Sequence, residues 1–146
     1  MPLTLDTSII KRLGQGIWAQ IPPDRPAHLV VVATGGVGMG IAAASTASDS
    51  RLRSVTVVKR AFDFDSPALR AAPGEAVVVL DNSMHSGRSV ATVIKHLQAR
   101  DIAVESVITI FDGANDCERQ ARKRLEDNTG VPVLACASWN DRHTWT

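Results

Sequence analysis

The chain contains no tyrosine, only two cysteines, and no apolar run near the roughly 20 residues a membrane-spanning helix needs. A bundle of membrane helices is thereby excluded. Cys117 and Cys136 have neither the spacing of a metal knuckle nor the density of a disulfide scaffold, so they read as free thiols. Charge of one sign is also missing. A formal net charge of +1 offers no electrostatic drive toward nucleic acid or an anionic membrane surface. The opening MPLTLDTSIIKRL lacks the basic start and apolar centre of a signal peptide, and the expectation is a cytoplasmic protein. No repeat and no low-complexity segment divides the chain. What remains is 146 residues, 45% hydrophobic and 21% charged, enough for one domain over residues 1–146 with a real core.

The apolar residues fall into alternating short runs and helical patterns. Runs near Leu29–Thr34, Ser54–Lys59, Ala76–Asp81, Val104–Phe111 and Val131–Ala135 read as buried strands. Helical spacing is evident over Thr4–Gln20, with Asp6, Thr7 or Ser8 available as a cap, and again over Val90–Arg100 and Asp116–Asn128. Such alternation predicts an α/β fold, a parallel sheet of about five strands with helices on both faces. The mixed charges of 116–128 read as a solvated outer face, with Gly130 as its stop. His28, His96 and His143 have no metal spacing and read as surface residues.

The stretch VVVLDNSMHSGRS, residues 77–89, carries the most chemistry. A buried strand ends at Asp81 and Asn82, and a small hydroxyl-bearing loop leads into a helix, the place where open α/β sheets bind ligands. Gly87 lets the backbone approach a ligand closely, Ser86 and Ser89 offer hydroxyls, and Arg88 offers a positive fork for phosphate oxygens. Asp81 accepts hydrogen bonds and Asn82 both donates and accepts, which suits vicinal sugar hydroxyls. Together they ask for a sugar phosphate.

A second loop, ATGGVG at 33–38, follows the first strand, and its glycines let main-chain N–H groups face an anion. Gly38, Gly40 and Ala43 also satisfy the G-x-G-x-x-A dinucleotide pattern, which makes a small nicotinamide-binding domain a competing reading. That pattern expects an acid at the end of the next strand, whereas SVTVVKR ends in Lys59 and Arg60. A basic end suits a 2′-phosphate or a pyrophosphate equally.

The four apolar residues, the Asp81–Asn82 pair and the hydroxyl- and glycine-rich loop resemble the phosphoribosyl-pyrophosphate motif of type I phosphoribosyltransferases, closest in pattern to orotate phosphoribosyltransferase-like proteins. The resemblance implies that Asp81 and Asn82 hold the ribose and that Ser86, Gly87, Arg88 and Ser89 hold the 5′-phosphate. It implies further that Thr34, Gly35 and Gly36 cradle pyrophosphate and that Lys59 and Arg60 contact it. Asp81 and His85 are then the candidate catalytic residues, His85 standing where purine enzymes carry a base-facing aspartate and able to exchange a proton with a base nitrogen. Mg²⁺ as cofactor, phosphoribosyl pyrophosphate or ribose 5-phosphate and a nitrogenous base as ligands, and a homodimer are implied in the same way. The tail SWNDRHTW resembles the segment that holds the base edge, where Trp139 is a candidate for stacking, although packing against a neighbouring helix or a partner subunit suits it better.

The motif is degenerate at two points, with Asn82 as the second acid and His85 in place of the usual residue. The segment Arg60–Glu75 is short and lacks the lysine and histidine of the orotate enzymes' catalytic lid, and no base-binding subdomain precedes the first strand. These departures define an alternative, a ligand-binding or regulatory module that keeps the fold without turnover.

Overall fold

The structure, a computed structural model, describes residues 6–48, 50–59, 69–82, 87–112 and 115–145. Five strands, β1 (Ala27–Val32), β2 (Leu52–Val58), β3 (Ala76–Leu80), β4 (Ser106–Asp112) and β5 (Val133–Ser138), form one sheet in the order β2-β1-β3-β4-β5. Every pairing is parallel. Four helices, α1 (Thr7–Ala19), α2 (Val37–Thr46), α3 (Arg88–Gln98) and α4 (Asp116–Thr129), cover its faces, and a 3₁₀ helix, Trp139–Trp145, ends the chain.

Local sequence explains where these elements start and stop. Asp6 caps α1 by accepting from the Ile9 N–H at 2.9 Å, and Asn115 caps α4 by accepting from the Glu118 N–H at 2.9 Å. Gly130 ends α4 in the left-handed region, at φ 71°.

β1 and β3 lie at the centre of the sheet, and every residue of both is buried. Their side chains alternate between the two faces. Val30, Val32, Val77 and Val79 pack with Val90, Val93, Ile94 and Leu97 of α3 and with Ala121 and Leu125 of α4. Leu29, Val31, Val78 and Leu80 pack with Leu13, Ile17 and Trp18 of α1 and with Met39, Ala42 and Ala43 of α2. Continuous apolar runs are what burial on both faces demands.

The observed elements depart from the sequence reading in several places, among them β2, which begins at Leu52 rather than Ser54, and β4, which begins at Ser106 rather than Val104. β1 stops at Val32 rather than Thr34, because residues 33–36 form a turn that contains a cis Ala33–Thr34 peptide bond. β5 is shifted, starting at Val133 rather than Val131 and running to Ser138 rather than Ala135, before the 3₁₀ helix, which the sequence reading did not foresee. His28 is not a surface residue. It is 5% exposed, and burial is tolerated because Ser54 Oγ lies 2.7 Å from Nδ1 and Glu75 Oε1 lies 3.0 Å from Nε2. Glu75 also accepts from Arg53 at 2.9 Å and from the Ala72 N–H at 2.8 Å. The His28 hydrogen bond, and then the Ala72 N–H, lower its carboxyl to about 2. His96 is half-buried on α3, and His143 is exposed as expected.

Candidate functional site

A parallel sheet gathers all its strand ends on one edge, and here the strand order reverses in the middle of it. From β1 the chain crosses through α2 to β2 on one side, and from β3 it crosses through α3 to β4 on the other. Oppositely directed crossovers of one hand place α2 and α3 on opposite faces, so a crevice opens beyond the carboxyl ends of β1 and β3. The described candidate residues of the sequence reading lie along this edge.

The first wall is the turn 33–36. The Gly36 N–H donates to the Val32 carbonyl at 2.8 Å, and a Cβ on Gly36 would lie 2.5 Å from the Leu80 carbonyl oxygen. Only glycine permits this approach of the turn to the end of β3. Gly36 is also the N-cap of α2 and supplies no side-chain acceptor, and the Val37 N–H that opens the helix donates to the Thr34 carbonyl at 3.2 Å. Thr34 and Gly35 are exposed at the tip.

The second wall follows β3. Asp81 and Asn82 are half-buried, and the Asn82 N–H donates to Asp81 Oδ1 at 2.8 Å. The Asp81 N–H donates to the Ile108 carbonyl at 3.2 Å, and the Ile110 N–H donates to the Asn82 carbonyl at 3.3 Å. These bonds extend the β3–β4 ladder past the strand end and fix both residues. The two walls touch, for a Cβ on Gly35 would lie 2.4 Å from Asn82 Oδ1.

The third component comes from β2 and α3. Gly87, at φ 74°, is the left-handed N-cap of α3 and again offers no side-chain acceptor, with Arg88 and Ser89 exposed in the first turn. Lys59 follows β2 directly. A cleft of about 230 Å³ is lined by Ala33, Lys59, Ser89 and Thr92 above an apolar floor of Val32, Val58 and Val93. Three segments far apart in the sequence therefore share one cavity. Arg88 borders a separate groove between α3 and α4, with Ala91, Ala121, Arg124, Leu125 and Asn128.

Of the sequence candidates, Thr34, Gly35, Gly36, Lys59, Asp81, Asn82, Gly87, Arg88 and Ser89 all lie at this edge of the sheet. His85, Ser86 and Arg60 lie outside the described residues. Thr92 was missed, although its hydroxyl three positions beyond Ser89 is a readable helical signal; its Oγ donates to the Arg88 carbonyl at 2.8 Å. The dinucleotide pattern loses its footing, since Gly38 and Gly40 lie inside α2 rather than in the turn before it. Trp139 packs edge-on against Phe111, with ring centroids 5.6 Å apart. Among the described residues no group of three or more histidine, cysteine or acidic side chains is placed to hold a metal ion. The described site thus offers backbone and hydroxyl donors, one lysine and one acceptor pair, a set suited to phosphate and hydroxyl groups.

The chain matches no protein-family model and no curated protein sequence. Its fold is shared with solved phosphoribosyltransferases. An orotate phosphoribosyltransferase of Mycobacterium tuberculosis, in complex with 5-phospho-alpha-D-ribosyl 1-diphosphate, superposes with a TM-score of 0.61 at 18% identity, covering 90% of this chain and 72% of that one. An adenine phosphoribosyl transferase of Trypanosoma brucei, in complex with AMP, pyrophosphate and ribose-5-phosphate, gives 0.68 at 10% identity over 92% of this chain and 66% of that one. The adenine enzyme of Giardia lamblia with 9-deazaadenine gives 0.65 at 10% identity over 88% and 78%. This is the type I phosphoribosyltransferase fold.

Proposed function

We propose that the chain binds phosphoribosyl pyrophosphate in the crevice between β1 and β3 and transfers the ribosyl phosphate to a nitrogenous base. The observation that carries this reading is the contact of the Gly35–Gly36 turn with the Asp81–Asn82 pair, beside a cleft shared by Lys59 and Ser89. Two of the similar structures hold the same ligand or its parts, phosphoribosyl diphosphate in one and pyrophosphate with ribose-5-phosphate in the other. On this reading Ser89, with Ser86, Gly87 and Arg88, takes the 5′-phosphate. Asp81 takes the ribose hydroxyls, and the turn with Lys59 and Arg60 takes the pyrophosphate. Catalysis is then mainly positional and electrostatic, with donors fixed where negative charge gathers on the departing pyrophosphate. His85 is the proposed proton-exchange partner of the base nitrogen.

Mg²⁺ fits this site as a cation held by one carboxylate and by the ligand's own oxygens, the usual arrangement for magnesium at phosphates. Asp81, half-buried directly after β3, is the carboxylate we assign to it. The ion, when bound, would neutralise charge on the pyrophosphate. A homodimer in the cytoplasm completes the reading, supported by Ile41, Val55 and Val57, which are large, apolar and exposed on α2 and the edge strand β2. Among the described residues no helix is long and apolar enough to cross a membrane.

Asn82, which cannot carry charge, favours a second reading, a module that binds the ligand without turnover. Calorimetric titration with phosphoribosyl pyrophosphate and with ribose 5-phosphate, with and without Mg²⁺, tests both. Magnesium-dependent gain from the pyrophosphate supports the transferase and justifies a screen of bases. Ribose 5-phosphate binding without that gain supports the module, and no binding of either ligand leaves only the fold.

A further inference from the structure

We infer that Asn82 is a positioning residue, a strut that holds the β1–α2 turn in its anion-binding shape, and that its amide does not serve as a ribose ligand. This rests on the phosphoribosyl pyrophosphate reading above and divides the labour within that site. A Cβ on Gly35 would lie 2.4 Å from Oδ1, 2.8 Å from Cγ and 3.1 Å from Nδ2 of Asn82, so the whole amide lies over the Gly35 Cα. The amide occupies the volume that any other residue at 35 would need. Asn82 is itself held at both main-chain groups, its N–H on Asp81 Oδ1 at 2.8 Å and its carbonyl accepting from Ile110 at 3.3 Å. A side chain on so fixed a backbone, packed on the tip of a turn, limits where that turn sits. Asp81, by contrast, is placed one residue earlier, where a carboxylate can meet ribose hydroxyls. Neutrality also matters, because an amide against the turn adds no negative charge beside the pyrophosphate proposed for it.

The two roles give opposite patterns of binding. A ribose ligand affects ribose 5-phosphate and phosphoribosyl pyrophosphate alike, whereas a strut for the turn affects only the increment contributed by pyrophosphate. Calorimetry on the full chain with Mg²⁺ reads the split for Asn82→Ala, Gly35→Ala and the double variant. For Asn82→Ala the expected result is ribose 5-phosphate affinity within about threefold of the parent, with the added affinity for phosphoribosyl pyrophosphate reduced about tenfold, as for residues in direct contact. Gly35→Ala forces a methyl into the amide and loses the same increment. Removing the amide in the double variant makes room for the methyl and restores about threefold of that loss.

Equal losses for both ligands in Asn82→Ala overturn the inference and return Asn82 to the ribose. Strictly additive losses in the double variant also overturn it. Parent protein that binds ribose 5-phosphate with no gain from pyrophosphate overturns it while the phosphate site stands, and parent protein that binds neither overturns the proposed function as well. Asn82→Ala only deletes atoms, so the test proceeds even where Gly35→Ala fails to fold.

Discussion

Replacing Gly36 by alanine would put a methyl 2.5 Å from the Leu80 carbonyl oxygen and 2.8 Å from that of Val32, both main-chain atoms that cannot rotate away. The expected cost is about 1–3 kcal/mol, as for other overpacked sites, and denaturant titration measures it. Glu75 yields a pH prediction. Its carboxyl is lowered from 4.5 to about 2, first by the His28 hydrogen bond. A depressed folded-state pKa contributes stability that is present above the unfolded value and is lost as pH falls through the folded one. Urea midpoints should therefore decline between about pH 4.5 and about pH 2, and Glu75→Gln should lower the plateau and flatten that decline. The placement of Asp81, Asn82, Lys59 and Ser89 at one edge of the sheet was legible in the sequence, since three follow a strand and the fourth opens a helix. The burial of His28 was not legible, because its partners Ser54 and Glu75 belong to other strands or loops and no spacing along the chain reveals them. The Gly35–Asn82 contact was hidden for the same reason.

Among the elements, α3 does most to join site and core. Its first turn supplies Gly87, Arg88 and Ser89, and its inner stripe is Val90, Val93, Ile94 and Leu97. Leu97 is fully buried, so Leu97→Ala should destabilise the fold by about 2–5 kcal/mol. Asn115→Ala, which removes one exposed cap from α4, should cost only about 1 kcal/mol. Thermal unfolding of the two variants side by side checks the ordering. Helix identities were legible because Leu97 and its neighbours recur at helical spacing. Strand ends were less so, and β1 illustrates why: Ala33 and Thr34 add no turn signal after LVVV, yet the chain turns there to bring Gly36 against Leu80. Tertiary contact decides that boundary.

For the molecule as a whole, two layers of helices enclose a sheet whose central strands have no solvent-facing side. Amide hydrogen exchange should be slowest in Leu29–Val31 and Val77–Leu80 and faster along β2, where Val55 and Val57 are exposed; exchange followed by mass spectrometry or NMR tests the ranking. The alternation of strand and helix made the architecture legible, whereas the strand order emerged only from the pairing of β1 with both β2 and β3. That order has a kinetic consequence. Residues 35 and 82 are adjacent across the crevice but belong to segments separated by the excursion through α2 and β2, so the chain between them forms a closed loop whenever the contact is made. A ligand gripping both sides acts as a reversible cross-link on that loop and lowers the population of the opened chain. Proteolytic half-life then lengthens with free ligand roughly as one plus the ratio of ligand concentration to Kd, and reads its affinity.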